Sequence, residues 1–204
     1  MVAPRKTPRQ ERSRVLVEAI LDAASRILVL QGREGVTTNG VAVVAGVSIG
    51  SLYQYFSNRE AIIAAVAQRH AYQIYHRVAD EDVSEAATLS DAIRQIVAAL
   101  FASHTIDPGL HTALVHDLEP SHLEHAQEQS HAGVKPAVVY QLMRLPERLK
   151  ADIVAPDLHC AAFVVAEIAH ALAHAATNPR QKKFSTETLE DEAVRVSLSY
   201  LYQC

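Results

Sequence analysis

Three helix starts fall within one short stretch, Val36–Glu60, and they constrain the fold of this chain more than any other feature. Thr37 can cap a helix that begins at Thr38, with Val36 stapled to Val41. That helix ends near Ala45, where Gly46 supplies a turn. Ser48 can cap the next helix, with Val47 stapled to Leu52. Ser57 and Glu60 spell an S-x-x-E capping box for a longer helix reaching about Ala79. In each case a side-chain oxygen satisfies orphan backbone N–H groups, and flanking apolar residues set the entry angle. Val41, Ala42, Ala45, Val47, Leu52 and Phe56 can share a small core with a preceding helix. The second short helix then presents Ser48, Ile49, Gly50, Ser51, Tyr53, Gln54 and Tyr55 outward. Two short helices crossed at a glycine turn have the geometry of a helix-turn-helix, whose second helix enters a DNA major groove.

The rest of the chain also reads as helix. Apolar residues recur every three or four positions, with no sustained alternation. A first helix spans about residue 7 or 10 to Gln31, with Val15, Ala19, Ile20, Ala23, Ile27 and Leu30 as its apolar face. Gly32 and Gly35 stop it. Further helices are expected near residues 88–105, 108–117, 120–145, 157–176 and 187–203, punctuated by Pro108, Pro120, Pro146, Pro156 and Pro179. Pro136 should kink the third of these. The expected fold is all-α. Residues 1–60 hold a basic arm and the helix-turn-helix DNA-binding domain, 58–79 a connecting helix, and 80–204 the remaining helices, to which the resemblance described below assigns effector binding and dimerisation.

Charge is distributed unevenly. Net charge is −4, yet residues 1–60 carry eight Lys/Arg against five Asp/Glu, and the remainder carries eleven against eighteen. The first fourteen residues hold Arg5, Lys6, Arg9, Arg12 and Arg14 against Glu11 alone, which suits either a polyanion-facing arm or a solvated tail. On the second short helix, Ser51 and the tyrosine hydroxyls can bond phosphate oxygens. Gln54 can pair with an adenine edge, and Ile49 can touch a thymine methyl. Arg59 starts the fourth helix, where a phosphate is favoured. Tyr53 and Tyr55 also lie close to Phe56, so part of this cluster is expected to be structural. Cys160 and Cys204 suggest neither a disulfide framework nor a zinc site. A basic, proline-containing start with no apolar stretch behind it argues against a signal peptide. Runs such as Ala61–Ala67 are too short to span a bilayer. A cytoplasmic protein with no membrane partner and no cofactor is expected.

The stretch Ala45-Gly46-Val47-Ser48-x-Gly50-Ser51-Leu52-Tyr53-x-Tyr55-Phe56-x-Asn58-Arg59-Glu60 closely resembles the signature of TetR-type transcriptional regulators, and the match covers residues 10–80. The resemblance implies about nine helices, a DNA-binding domain joined through the fourth helix to a variable effector domain, dimerisation through the last two helices, and a palindromic operator. It also implies that Thr38, Tyr53, Tyr55 and Arg59 touch phosphates, while Asn39, Ile49, Gly50, Ser51 and Gln54 lie near base edges. This chain departs from the pattern in three places. Gly40 stands where an acidic residue often completes the cap, Asn39 where an arginine is common, and Ile49 where a polar residue is common.

Beyond residue 80 the signal is thinner. The helix at 157–176 carries Ala161, Ala162, Ala166, Ala169, Ala173 and Ala176 beside Val165, Ile168 and Leu172. The final helix offers Leu189, Ala193, Val194, Val196, Leu198 and Leu201. These faces suit either a four-helix homodimer interface or a monomer core, and the resemblance favours the interface. Phe101, Leu114, Leu118, Tyr140, Met143, Phe163 and Glu167 are candidates to line a pocket for a small organic, largely apolar effector. All eleven histidines follow residue 60. His170 and His174 stand one turn apart with Glu167 a turn earlier, while His116, His122, His125 and His131 group elsewhere. The plainer reading is interface or solvent-facing histidines with no bound metal. A metal-dependent hydrolytic enzyme is the alternative from another class, but no nucleophile–base pair or zincin-type motif supports it. A DNA-binding regulator without effector control is a further alternative. The leading expectation is not an enzyme but a repressor released from its double-stranded operator by an effector.

Overall fold

The structure is a computed structural model, and it describes residues 11–117, 134–177 and 183–202. Every regular element among the described residues is a helix: α1 (Glu11–Gly35), α2 (Thr38–Ala45), α3 (Ile49–Tyr55), α4 (Arg59–Ala79), α5 (Leu89–Ser103), α6 (Pro108–Asp117), α7 (Val134–Met143), α8 (Glu147–Lys150), α9 (Leu158–Thr177) and α10 (Thr186–Tyr202). The basic arm up to Gln10, Leu118, and the group His122, His125 and His131 lie outside the described residues.

The chain packs as two compact units. One comprises the described residues up to His70 together with 109–117. The other begins at Ala71, runs to Pro108 and resumes with the described residues from 134 onward. The division therefore falls inside α4, and α6 returns to the first unit.

In the first unit, α1 buries the middle of the face expected for it but not its ends. Val15 and Leu30 are 63% and 79% exposed, whereas Leu21, Ala24 and Leu28 are buried beside Ile20, Ala23 and Ile27. The buried stripe thus follows the pairs 20/21, 23/24 and 27/28, stepping by three and four as a 3.6-residue period demands. Positions 15 and 30 fall off its edge. Gly32 breaks the helix with φ 68° and ψ −175°, a conformation open essentially to glycine alone. The expected small core forms: Val41, Ala42, Leu52 and Phe56 are buried with the α1 stripe, and Ala45 and Val47 pack against it. Arg69 of α4 reaches across to α1, donating to Glu18 at 2.9 Å, Asp22 at 2.7 Å and Ser25 Oγ at 3.1 Å.

In the second unit, α9 packs against α5, α7 and α10. Its alanines at 161, 162, 166, 169, 173 and 176 are all buried within this one chain, as are Ala193, Val194 and Leu201 of α10. The stripe expected to face a second subunit is therefore used inside the protomer, where small side chains let neighbouring helices approach closely. A dimer through these helices has only their other faces to offer. α9 matches the helix expected at 157–176 to within one residue at each end, and it is more apolar as a whole than the short runs suggested. An 18-residue stretch of this 20-residue helix has a mean hydropathy of 1.4, which meets the length and composition needed to cross a membrane, but its alanine stripe packs as that of a core helix does. α5 begins with a capping box in which Thr88 and Asp91 satisfy each other's backbone N–H groups. Pro136 lies in the first turn of the described α7, where its missing N–H has no helical partner to lose.

One buried polar residue ties this unit together. The Gln141 side chain, 1% exposed, donates through Nε2 to the carbonyls of Val78 (2.8 Å), Ala79 (2.9 Å) and Glu81 (2.6 Å). From α7 it serves carbonyls at and just beyond the end of α4, where helical N–H partners run out. Gln141→Leu keeps the volume and removes the donors. It is expected to destabilise the protein by about 2–3 kcal/mol, the cost of leaving buried carbonyls unmet. A urea-unfolding midpoint equal to wild type is the result that contradicts this.

Candidate nucleic-acid interface

The interface rests on two helix caps and one turn. Thr37 Oγ1 accepts from the Gly40 N–H at 3.0 Å, and Gly46 ends α2 in the left-handed region with φ 67° and ψ 29°. Ser48 Oγ accepts from the Ser51 N–H at 3.0 Å and lies 2.8 Å from Ser51 Oγ. A Cβ at Gly40 would stand 2.9 Å from Thr37 Oγ1. Gly40 sits three residues after its cap, the position that Ser51 and Asp91 hold after theirs, where a side chain is accommodated once the contact relaxes. The start of α4 differs from expectation. Asn58, not Ser57, supplies the cap, its Oδ1 accepting from the Ala61 N–H at 2.8 Å, and Glu60 turns instead to Arg59. An Asx cap one residue later in the chain does the work assigned to the S-x-x-E pattern.

With α3 held this way, its residues divide sharply. Leu52 and Phe56 are 0% and 1% exposed and enter the core. Tyr55 follows them at 8%, so its ring is a packing residue and not part of the open face. Ser48, Ile49, Gly50, Tyr53 and Gln54 are exposed, with Ser51 half-buried at the edge. On α2, Asn39 is exposed and Thr38 half-buried, and Thr38 Oγ1 meets Tyr53 Oη at 3.2 Å. That contact gathers two hydroxyls from separate helices at one point, a fitting arrangement for a phosphate oxygen. Arg59 Nε donates to Glu60 Oε1 at 2.7 Å and Nη1 to Glu34 Oε2 at 3.3 Å. These two carboxylates hold its pKa above the ordinary guanidinium value, Glu60 contributing most. A phosphate reaching Arg59 therefore competes with Glu34, which is highly exposed and free to swing aside. Sequence alone did not disclose this competition, because Glu34 and Arg59 are brought together only by the fold.

Among the described residues, those proposed for an effector pocket have different surroundings. Phe101 is buried in the core of the second unit, whereas Leu114 is buried in that of the first. Tyr140, Met143 and Phe163 are 42%, 40% and 54% exposed. The reason is helical phase. On α7, Ala137, Val138, Gln141 and Leu142 turn inward, which sends Tyr140 and Met143 to the opposite side. On α9 the alanine stripe does the same to Phe163. Tyr140 Oη instead accepts from Arg144, and Glu167 pairs with Lys135 at 2.8 Å.

Comparison with known proteins sets this geometry in context. A family model described as bacterial regulatory proteins, tetR family, matches residues 20–66, and another described as tetracyclin repressor-like, C-terminal domain, matches residues 88–201. The fatty acid metabolism regulator protein of Bacillus subtilis (strain 168) is 28% identical over 109 residues, which is 53% of this chain and 56% of that protein. The chain thus matches little more than half the length of that relative. Among solved structures, a TetR-family transcriptional regulator from Mesorhizobium loti MAFF303099 superposes with a TM-score of 0.71 at 17% identity, covering 94% of this chain and 98% of the other. The transcriptional regulator FadR from Bacillus subtilis, in complex with stearoyl-CoA, superposes with a TM-score of 0.69 at 20% identity, covering 90% and 98%. At these identities the superpositions speak to the fold.

Proposed function

Because the chain belongs to the tetR family of bacterial regulatory proteins, we propose that it is a repressor that holds a palindromic operator as a homodimer and releases it when a small organic effector binds. The observation that carries this reading is the division of α3. One face is anchored in the core by Leu52 and Phe56, while Ile49, Gly50, Tyr53 and Gln54 stand open to solvent together. A rigid helix displaying small, polar and aromatic groups fits a major groove. Thr38, Tyr53 and Arg59 are the phosphate contacts in this reading, and Asn39, Ile49, Gly50, Ser51 and Gln54 face the bases. Ser48 holds the α3 N-terminus, whose N–H groups point at the backbone, and Tyr55 supports the helix from beneath.

The effector class follows from the relatives. One is a fatty acid metabolism regulator, and one similar structure holds stearoyl-CoA. A long-chain acyl thioester also agrees with the largely apolar effector expected from the composition of the second unit. An effector releases DNA only to the extent that it prefers the released conformation.

The test uses the purified full-length chain and a duplex from its own upstream region. Binding is expected to weaken steeply with salt. Arg59→Ala is expected to weaken it on all sequences and to reduce the salt slope by about one per copy. Addition of stearoyl-CoA is expected to release the duplex. Salt-insensitive binding unaffected by Arg59→Ala refutes the DNA-binding assignment. Intact binding that no acyl thioester relieves refutes the effector class and favours a regulator without effector control.

A further inference from the structure

Sequence spacing set His170 and His174 beside Glu167, but the fold gives them a different third partner. Glu167 is taken by Lys135, and the buried His104 from the end of α5 comes to the two α9 imidazoles instead. The His170 and His174 ring centroids are 4.5 Å apart. His104 lies 5.4 Å from the first and 5.0 Å from the second. One nitrogen from each ring lies within 4.8 Å of the other two.

His104 is held in the tautomer a metal ligand needs. Its Nδ1 lies 2.9 Å from the Leu100 carbonyl oxygen, and a carbonyl can only accept, so Nδ1 carries the proton and Nε2 keeps its lone pair. A ligating histidine that donates its other N–H to a backbone carbonyl is the usual supporting arrangement, fixing ring orientation and basicity. His170 and His174 are half-buried, so an ion held there keeps access to solvent on one side.

We propose that His104, His170 and His174 form a three-imidazole site for a zinc-class divalent transition metal, joining the end of α5 to the C-terminal half of α9. Imidazole nitrogen suits zinc, cobalt, nickel and copper, and three histidines with a fourth position left for an exchangeable ligand is a known zinc donor set. Tetrahedral zinc at about 2.0–2.1 Å from each nitrogen sets the ligand atoms about 3.3 Å apart. Small rotations of the two α9 rings toward the fixed His104 close the remaining distance. The site stands on geometry within the second unit and does not depend on the regulatory reading.

The experiment is a cobalt(II) titration of the full-length chain after chelator treatment. Saturation is expected at one cobalt per chain, with the intense visible absorption of four-coordinate cobalt, and zinc is expected to bleach it stoichiometrically. His170→Ala and His174→Ala each remove a half-buried ring without emptying the core. Each is expected to abolish the band and weaken zinc binding by about 100-fold or more, with circular dichroism matching wild type. Glu167→Gln is expected to leave binding unchanged, since that carboxylate is committed to Lys135. Absence of the band, the pale spectrum of six-coordinate cobalt, or wild-type affinity in the two histidine variants overturns the proposal and leaves a packed imidazole cluster.

Discussion

Gln54→Ala is expected to lower affinity for the operator by about 1–3 kcal/mol per half-site while leaving affinity for unrelated duplex unchanged. Gln54 is exposed on α3, next to Tyr53, and takes no part in the core. Its amide has both a donor and an acceptor, which is what an adenine edge offers in the major groove. In a symmetric dimer the loss is incurred twice, so binding to a palindrome suffers more than binding to a single half-site. Arg59→Ala should act differently. Removing a phosphate contact weakens all duplexes alike, and the exchange of Glu34 for phosphate reduces its net effect. Anisotropy titrations with operator and scrambled duplexes separate the two. Equal losses on both duplexes for Gln54→Ala would place that side chain on the backbone and withdraw its role in base reading.

Phe56→Ala is expected to cost about 3–5 kcal/mol of folding stability, a large share of what a domain of this size commonly has. Phe56 is 1% exposed and lies among the fully buried Ile20, Leu28, Leu52 and Ile62. It also ends α3, its extended backbone donating to the Leu52 carbonyl at 3.0 Å. Truncation leaves a cavity where α1, α3 and α4 contribute side chains, so the open face of α3 should lose its order with the core. Tyr53→Ala is the matched comparison: 43% exposed, it should change stability little and operator binding strongly. Urea unfolding distinguishes them. A Phe56→Ala midpoint within error of wild type would mean that the α3 anchor is not where the stability of the first unit resides.

Much of the first unit was legible before any coordinates. Thr37, Gly46 and Ser48 act as read, because caps and turns are decided by residues within three or four positions of one another. The same locality explains the error at α4. Ser57 and Asn58 are adjacent candidates for one role, and local pattern does not rank them. The ends of the α1 stripe were misread because Val15 and Leu30 are as apolar as the residues that do become buried, so composition alone left its edges undefined.

The chain's own order of residues was sufficient for the helical class, the glycine turn and the open face of α3, since all of these follow from short-range hydrogen bonding and periodicity. Contacts between distant segments were decided by folding alone. Lys135 takes Glu167, Gln141 serves the end of α4, His104 joins His170 and His174, and the alanines of α9 face inward within one protomer. Each depends on which helices become neighbours and at what rotation, and a one-dimensional pattern carries no information about the phase of one helix relative to another.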